Sequence, residues 1–223
     1  MPLDTLVTGR IATFAGEAGY GWVDAIGDAA IRTALDVLAP TRGKVGVMPR
    51  VEHVQLLDPA DRSRFAPLGI AASVQPVHLR EDAETARRDW GARAEPNGYT
   101  WRSLLDAGAT LAFGTDAPVE PADPWPGIAL AVLRRAPSWG PGAEAYGPNE
   151  ALTLEEALRA ATVGVAATAR DPLGGRLIPG SPADLIVLPA APRESSNASE
   201  RAAAFAEVRP RLVLLGGEVV VER

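Results

Sequence analysis

The sequence has no cysteine, no long apolar run and no basic run, and each absence argues against a class of protein. Without cysteine, disulfides, zinc-thiolate sites and thiol nucleophiles are excluded. The first 21 residues carry Asp4, Arg10 and Glu17, which argues against a signal peptide or a membrane span and favours a cytoplasmic location. The net charge of −6, with no basic run, argues against nucleic acid or an anionic membrane surface as partner.

Short apolar runs alternate with amphipathic segments along the chain. Its 223 residues, 47% of them hydrophobic, are enough to bury a sizeable core. The patterns predict strands at 21–25, 45–53, 70–74 and 109–113 and helices at 28–38, 58–69, 99–107, 128–135 and 153–167, with 77–98 as a charged loop or irregular helix. Strands that are each followed by a helix indicate βαβ units and a parallel sheet.

Local signals mark several ends of these elements. Asp28 and Asp58 are predicted N-caps, Gly69 a C-cap, and Thr153 with Glu156 a capping box. Three short β segments at 184–188, 211–215 and 218–221 end the sequence, too few to bury a core of their own. A closed parallel barrel needs eight strands and about 250 residues, so the chain is predicted to be a small open α/β sheet or half a barrel.

Polar residues stand at the predicted carboxyl ends of the parallel strands, where the loops of such sheets converge. Imidazole and carboxylate groups suit a divalent metal such as zinc. Each residue also has a plain structural interpretation: His53 as a core histidine, His78 as a loop histidine, and Asp116 and Asp24 as turn residues. The pattern predicts a metal site without identifying a reaction. The polar residues at or just past these strand ends are Asp24, Glu52, His53, Gln75, His78 and Asp116.

Longer motifs sharpen this interpretation. They resemble the amidohydrolase superfamily, and within it the amidohydrolase 3 group, which includes enzymes similar to N-substituted formamide deformylase. The resemblance covers residues 20–221, and the motifs that carry it are Arg50-Val51-Glu52-His53, Ala72-Ser73-Val74-Gln75-Pro76-Val77-His78, Phe113-Gly114-Thr115-Asp116-Ala117-Pro118 and Gly180-Ser181-Pro182-Ala183-Asp184-Leu185.

The resemblance implies a fold and a reaction class. Residues 1–170 would form part of a TIM-type (β/α) barrel, equivalent to its strands five to eight, within an α/β fold. Residues 171–223 would contribute a C-terminal β segment to a composite β-sandwich. The implied function is hydrolysis of non-peptide carbon–nitrogen bonds in small amide-type substrates by metal-activated water.

The resemblance also implies roles for individual residues. His53 would bind the metal. Asp116 would touch the metal and act as the general base and then the general acid. His78 and Gln75 would lie in the substrate pocket. Asp24 stands where the family normally has a histidine, and a carboxylate there can still bind zinc.

A second departure from the family concerns the number of ligands. The His-x-His pair of the first barrel strand and the bridging residue of the fourth have no counterpart in this sequence. We therefore expect the chain alone to be incomplete or inactive, and to associate with an N-terminal half-barrel or with a second copy, because open sheet edges promote association. The alternatives are a non-catalytic truncated or degenerate fragment that acts only in association, and an unrelated open α/β binding domain.

Overall fold

A parallel sheet forms the main layer of the computed structural model, which describes residues 21–43, 46–140, 142–189, 204 and 208–223. Its four strands follow chain order: β1 (Trp22–Ala25), β2 (Arg50–His53), β3 (Ala71–Val74) and β4 (Leu111–Phe113). The register places Asp24 beside Glu52, and Glu52 beside Ser73. The predicted parallel α/β sheet is confirmed, with shorter strands than expected.

Helices connect the strands and follow the last of them. Besides short 3-10 turns at Ala39–Thr41, Pro76–His78, Gly91–Arg93, Pro137–Trp139 and Pro148–Glu150, they are α1 (Asp28–Leu38), α2 (Pro59–Arg62), α3 (Phe65–Leu68), α4 (Leu79–Trp90), α5 (Ala94–Asn97), α6 (Trp101–Asp106), α7 (Trp125–Leu133), α8 (Leu154–Arg159) and α9 (Val165–Thr168).

The start of α1 differs from the prediction by one residue. Its N-cap is Gly27 in an extended conformation, and Asp28 is the first helical residue. The Asp28 carboxylate accepts a hydrogen bond from the neighbouring Ala29 amide rather than from an amide further along. The helix is nevertheless anchored as its apolar spacing predicts, because Ile31 and Leu35 are fully buried.

The helix predicted for 58–69 is split into α2 and α3. Asp58 caps the first of these as predicted, since its side chain accepts from the Ala60 amide. A continuous helix is prevented by Pro67, which has no N–H and whose ring would meet the carbonyl four residues earlier. Gly69 ends α3 with φ 65°, the left-handed C-cap that the sequence predicted.

The loop or irregular helix expected for 77–98 contains a regular twelve-residue helix, α4. Leu79, Ala83 and Ala86 form its buried stripe at three- and four-residue spacing. The rest of its surface is largely charged, so the apolar signal is narrow in the sequence. This helix begins directly after His78 and thereby ties that residue to a rigid element.

The helix predicted for 153–167 begins as expected and then changes type. Thr153 and Glu156 form the predicted capping box. After α8 the backbone adopts a π-helical turn, Ala160–Gly164, before α9. Gly164 lies against β4 so closely that an added Cβ would be 1.9 Å from the Leu111 carbonyl oxygen.

A second, antiparallel sheet contains β5 (Leu185–Val187), β6 (Leu212–Leu215) and β7 (Glu218–Glu222) in that order. It confirms the three predicted β segments. Gly216 and Gly217 form the turn between β6 and β7 with φ of 58° and 86°, values that favour glycine. Among the described residues no helix is long and apolar enough to cross a membrane.

Candidate metal centre

Three of the predicted residues meet at the carboxyl edge of the parallel sheet. His53 is the last residue of β2, His78 ends the 3-10 turn after β3, and Asp116 follows β4. One possible ligand atom from each lies within 4.8 Å of those from the other two. Strand ends of a parallel sheet converge in this way because all of its strands run in the same direction.

The two imidazole rings are stacked, with their centroids 5.8 Å apart and their planes inclined by 21°. Nε2 of His78 is 3.7 Å from Oδ2 of Asp116. Among the described residues, neither Nε2 of His78 nor Nδ1 of His53 has a hydrogen-bond partner, and both atoms are buried. Buried nitrogens are normally paired, so this group of two imidazoles and a carboxylate fits a divalent cation.

The backbone of this edge adopts conformations that are costly for residues other than glycine. His53, Val54 and Asp116 have φ of 72°, 49° and 61°. Such strain persists only where surrounding contacts enforce it, and it is concentrated at functional sites. Here the Val54 amide donates to the Ala25 carbonyl at 3.1 Å. The two candidate ligands His53 and Asp116 both have a positive φ.

Asp24 lies beside this group but outside it. Its Oδ1 atom is 3.8 Å from Nε2 of His53, and its side chain is 63% exposed. By contrast, the Asp116 side chain is 38% exposed and is one of the three grouped residues. The structure therefore brings Asp24 next to one predicted ligand only.

Gln75 is buried below the same edge, with 8% of its surface exposed. Its Nε2 donates to Oε2 of Glu52 at 3.3 Å. Its Oε1 is buried and has no hydrogen-bond partner within the described part of the chain. An unpaired buried carbonyl is costly, and a hydrogen bond donated by a ligand would remove that cost.

One contact of this edge was missed in the sequence. Asp82, in the first turn of α4, accepts hydrogen bonds from Nε2 of Gln55 and from the hydroxyl of Tyr99. Burial raises the pKa of Tyr99 far above its ordinary value, and the Asp82 carboxylate raises it further, so the hydroxyl stays a donor. The only sequence signal for Asp82 was its four-residue spacing from His78. That spacing is informative only once α4 is known to be a helix.

Comparison with protein families and curated proteins gives a consistent result. A model of the amidohydrolase family matches residues 14–221. Over 171 residues the chain is 39% identical to the protein LONG AFTER FAR-RED 3 of Arabidopsis thaliana, covering 74% of this chain and 29% of that protein. It is 33% identical to the putative amidohydrolase YtcJ of Bacillus subtilis (83% and 35% covered) and 28% identical to the N-substituted formamide deformylase of Arthrobacter pascens (74% and 31%). The chain thus spans about a third of the length of these relatives.

Solved structures agree with this comparison. An uncharacterized metal-dependent hydrolase from Pyrococcus horikoshii OT3 matches with a TM-score of 0.66 and 32% identity, over 82% of this chain and 36% of that one. The atrazine chlorohydrolase TrzN of Arthrobacter aurescens TC1, solved with zinc, matches with a TM-score of 0.63 over 99% of this chain and 48% of that one. At 22% identity the second match concerns the fold alone.

Proposed function

The chain belongs to the amidohydrolase family, and we propose that it carries the metal-binding edge of a hydrolase acting on non-peptide carbon–nitrogen bonds of small amide-type molecules. The observation that carries the proposal is the convergence of His53, His78 and Asp116. These include both histidines of the sequence, and they lie at or shortly after the carboxyl ends of three consecutive strands. Metal-dependent hydrolase relatives support a divalent metal for this group.

Zinc is our proposal for the metal, because imidazole nitrogen and carboxylate oxygen together are typical zinc donors. His53 and Asp116 are the ligands that the resemblance implies. That resemblance places His78 in the substrate pocket. We assign it to the metal in this chain, since its buried Nε2 is unpaired among the described residues and faces Asp116. A bound divalent ion would supply Lewis acidity and make water a stronger nucleophile at neutral pH.

Asp116 is our proposed catalytic residue. Its carboxylate is partly exposed, so a substrate and a water molecule can reach it. It would accept a proton from the attacking water and return that proton to the leaving nitrogen, acting as general base and then as general acid. The buried Oε1 of Gln75 would accept a hydrogen bond from the substrate N–H and orient the amide.

Asp24 stays a proposed fourth ligand. Its carboxylate is 3.8 Å from Nε2 of His53 and is mostly exposed, so among the proposed ligands it lies next to His53. A carboxylate at this position adds negative charge to the site, which favours a cation. Its contribution is separable from that of the other ligands by mutation.

We also propose that β1–β4 are the equivalents of strands five to eight of a (β/α) barrel within residues 1–170, whose first twenty residues lie outside the described part. Residues 171–223 would then belong to a β-sandwich. The strand order supports this, as does the match to TrzN over 48% of that chain. In the described sheet β1 and β4 each have one strand neighbour. Their free edges favour a partner that completes the sheet, which would be an N-terminal half-barrel or a second copy of the chain. We propose the cytoplasm as the location.

A purely associative role is the second candidate. The small antiparallel sheet exposes apolar side chains, among them Ile186, Leu215 and Val219. Exposed apolar surface of this kind is typical of protein–protein contacts. This candidate predicts a stable complex and no hydrolysis, so the same sample distinguishes it from the first.

Hydrolysis of N-formyl and N-acyl amines by the purified chain, with zinc supplied, tests the proposal. We expect Asp116→Asn to abolish turnover and the exposed control Asp106→Asn to retain it. Equal turnover in wild type and Asp116→Asn would contradict the role of Asp116. A folded, zinc-loaded chain without any turnover would agree with the prediction that the chain alone is incomplete or inactive. The associative role would be favoured only if the same sample also formed a stable complex.

A further inference from the structure

We propose that Asp82 is a positioning residue that, through Gln55, holds the His53 loop against the helix that follows His78. The inference rests on the proposed function, because it concerns the same pair of histidines. Neither Asp82 nor Gln55 is a member of the group of three. Their effect on it is therefore indirect, through the backbone.

The contacts form a closed ring of three hydrogen bonds. Nε2 of Gln55 donates to Oδ2 of Asp82 at 3.1 Å. The hydroxyl of Tyr99 donates to the same oxygen at 2.9 Å. The Tyr99 amide then donates to the Gln55 carbonyl at 2.7 Å. The ring ties together three segments that are separate in sequence, and its carboxylate acceptor makes two of its bonds charge-assisted.

Two of its members, Gln55 and Asp82, stand close in sequence to the two histidines. Gln55 follows His53 by two residues, and Asp82 follows His78 by four, which is one helical turn. Gln55 is buried, and its side chain crosses from the β2 loop to α4. A change in the ring would therefore move the two imidazoles relative to one another.

The His53 loop needs such a tie, because both His53 and Val54 are in the left-handed region. On the β1 side it is held by the Val54 amide, which donates to Ala25, and by the Leu56 amide, which donates to the Ile26 carbonyl at 2.8 Å. The ring around Asp82 restrains the His53 loop from the α4 side.

The far end of the ring is anchored in the core. Tyr99 packs edge-on against Trp101 and Tyr146, with ring centroids 5.9 Å and 5.6 Å away. Nη1 of the buried Arg134 donates to the Tyr99 carbonyl at 3.1 Å. Tyr99 is therefore held rigidly in the core, and the Asp82 carboxylate links its hydroxyl to the Gln55 side chain.

The test compares Asp82→Ala with Asp82→Asn, which keeps an oxygen that accepts from both donors. NMR gives a readout that needs no metal, because a chain with two histidines has two imidazole Cε1–H signals. The stacked rings should give a nuclear Overhauser effect between them in wild type. Zinc affinity, measured by competition with a chromophoric chelator, is the second readout, and thermal unfolding of each variant is recorded alongside.

We expect Asp82→Ala to lose the inter-ring signal and to weaken zinc binding by about tenfold, the lower end of the loss seen when a group bonded directly to a ligand is removed, because Asp82 acts on His53 only through Gln55. Asp82→Asn should keep the signal and stay within about threefold of wild-type affinity. The exposed Asp89→Ala on the same helix is the control and should match wild type in both.

A folded Asp82→Ala protein with the wild-type signal and affinity would overturn the inference. If that variant does not fold, Gln55→Leu and Tyr99→Phe each remove one bond of the ring and are expected to weaken the signal; an unchanged signal in both would also overturn it. If wild type binds no zinc while Asp82→Ala still loses the inter-ring signal, the proposed function fails and the positioning role stands.

Discussion

His53 and His78 end neighbouring segments of the sheet edge, and their imidazole rings stack with centroids 5.8 Å apart. They are the only histidines in the sequence. Each has a buried ring nitrogen that lacks a hydrogen-bond partner in the described structure. Two unrelated core histidines would each be expected to pair with a nearby donor or acceptor, so this stack is better explained by a shared ligand.

Replacement of Gly164 by alanine should destabilise the chain strongly. The new Cβ would lie 1.9 Å from the Leu111 carbonyl oxygen, which is backbone and cannot rotate away. We expect a loss of about 3 kcal/mol in the free energy of unfolding, measured by urea denaturation, because forced overpacking moves the backbone. Gly142→Ala, where nothing lies within 4 Å, is the matched control. A Gly164→Ala chain as stable as this control would refute the packing of the π turn on β4.

Stability should fall in acid through Glu156. Hydrogen bonds from Arg102 lower the pKa of Glu156 to about 2, from an ordinary value of 4.5. Because the folded-state pKa is depressed, the stabilisation is complete above pH 4.5 and is lost as pH falls from 4.5 towards 2.

Glu156→Gln isolates this effect, because glutamine still completes a capping box. The free energy of unfolding of wild type should exceed that of the variant by about 1 to 2 kcal/mol at neutral pH, a range that allows for solvent screening of the partly exposed pair. Denaturant titrations at several pH values should show the difference shrinking towards zero near pH 2. A difference that does not change with pH would show that the Arg102 contact does not stabilise the carboxylate.

Arg134→Lys should not behave as a conservative change. The guanidinium is fully buried, donates to the Tyr146 and Tyr99 carbonyls, and lies 4.3 Å from the centre of the Trp101 ring. Burial lowers the pKa of Arg134 to about 10. A lysine cannot reproduce the planar stack with two directed bonds, so we expect a loss of about 2 kcal/mol by denaturant unfolding. The exposed Arg88→Lys should leave the free energy of unfolding unchanged. An Arg134→Lys variant that is equally stable would refute this account of the Arg134 contacts.

Asp24→Asn tests the proposed fourth ligand. The substitution keeps the shape of the side chain and removes its charge 3.8 Å from Nε2 of His53. If Asp24 binds the ion, zinc affinity measured by chelator competition should fall by at least about tenfold, because losing a direct ligand costs no less than losing a group that orients one. Asp36→Asn, at another exposed carboxylate, should leave affinity unchanged. Equal affinities for the two variants would remove Asp24 from the site.

Sequence reasoning succeeded where the signal is local. Asp58 and Thr153 cap helices as predicted, because an N-cap needs only the amides of the next few residues. The strand ends likewise placed His53 and Asp116 on one edge of the sheet, since parallel strands share a direction.

It failed where tertiary contacts decide. The charged outer face of α4 obscured its narrow buried stripe, and with the helix unrecognised Asp82 could not be placed one turn after His78. The π turn that ends at Gly164 packs against the Leu111 carbonyl, a contact that has no local signature in the sequence. Pro67 is a local signal against a continuous helix, and the prediction of one helix over 58–69 overlooked it.

Whether this edge of the sheet binds metal is decided by the zinc content of the purified, monodisperse chain, determined by elemental analysis after expression with zinc. We expect about one equivalent per chain, the occupancy of a single site. That metal should be lost in a His53→Ala, Asp116→Ala double variant that keeps its fold and retained in Asp106→Asn. A folded wild-type sample without metal, or a double variant that retains it, would contradict the assignment of a metal site to this edge of the sheet.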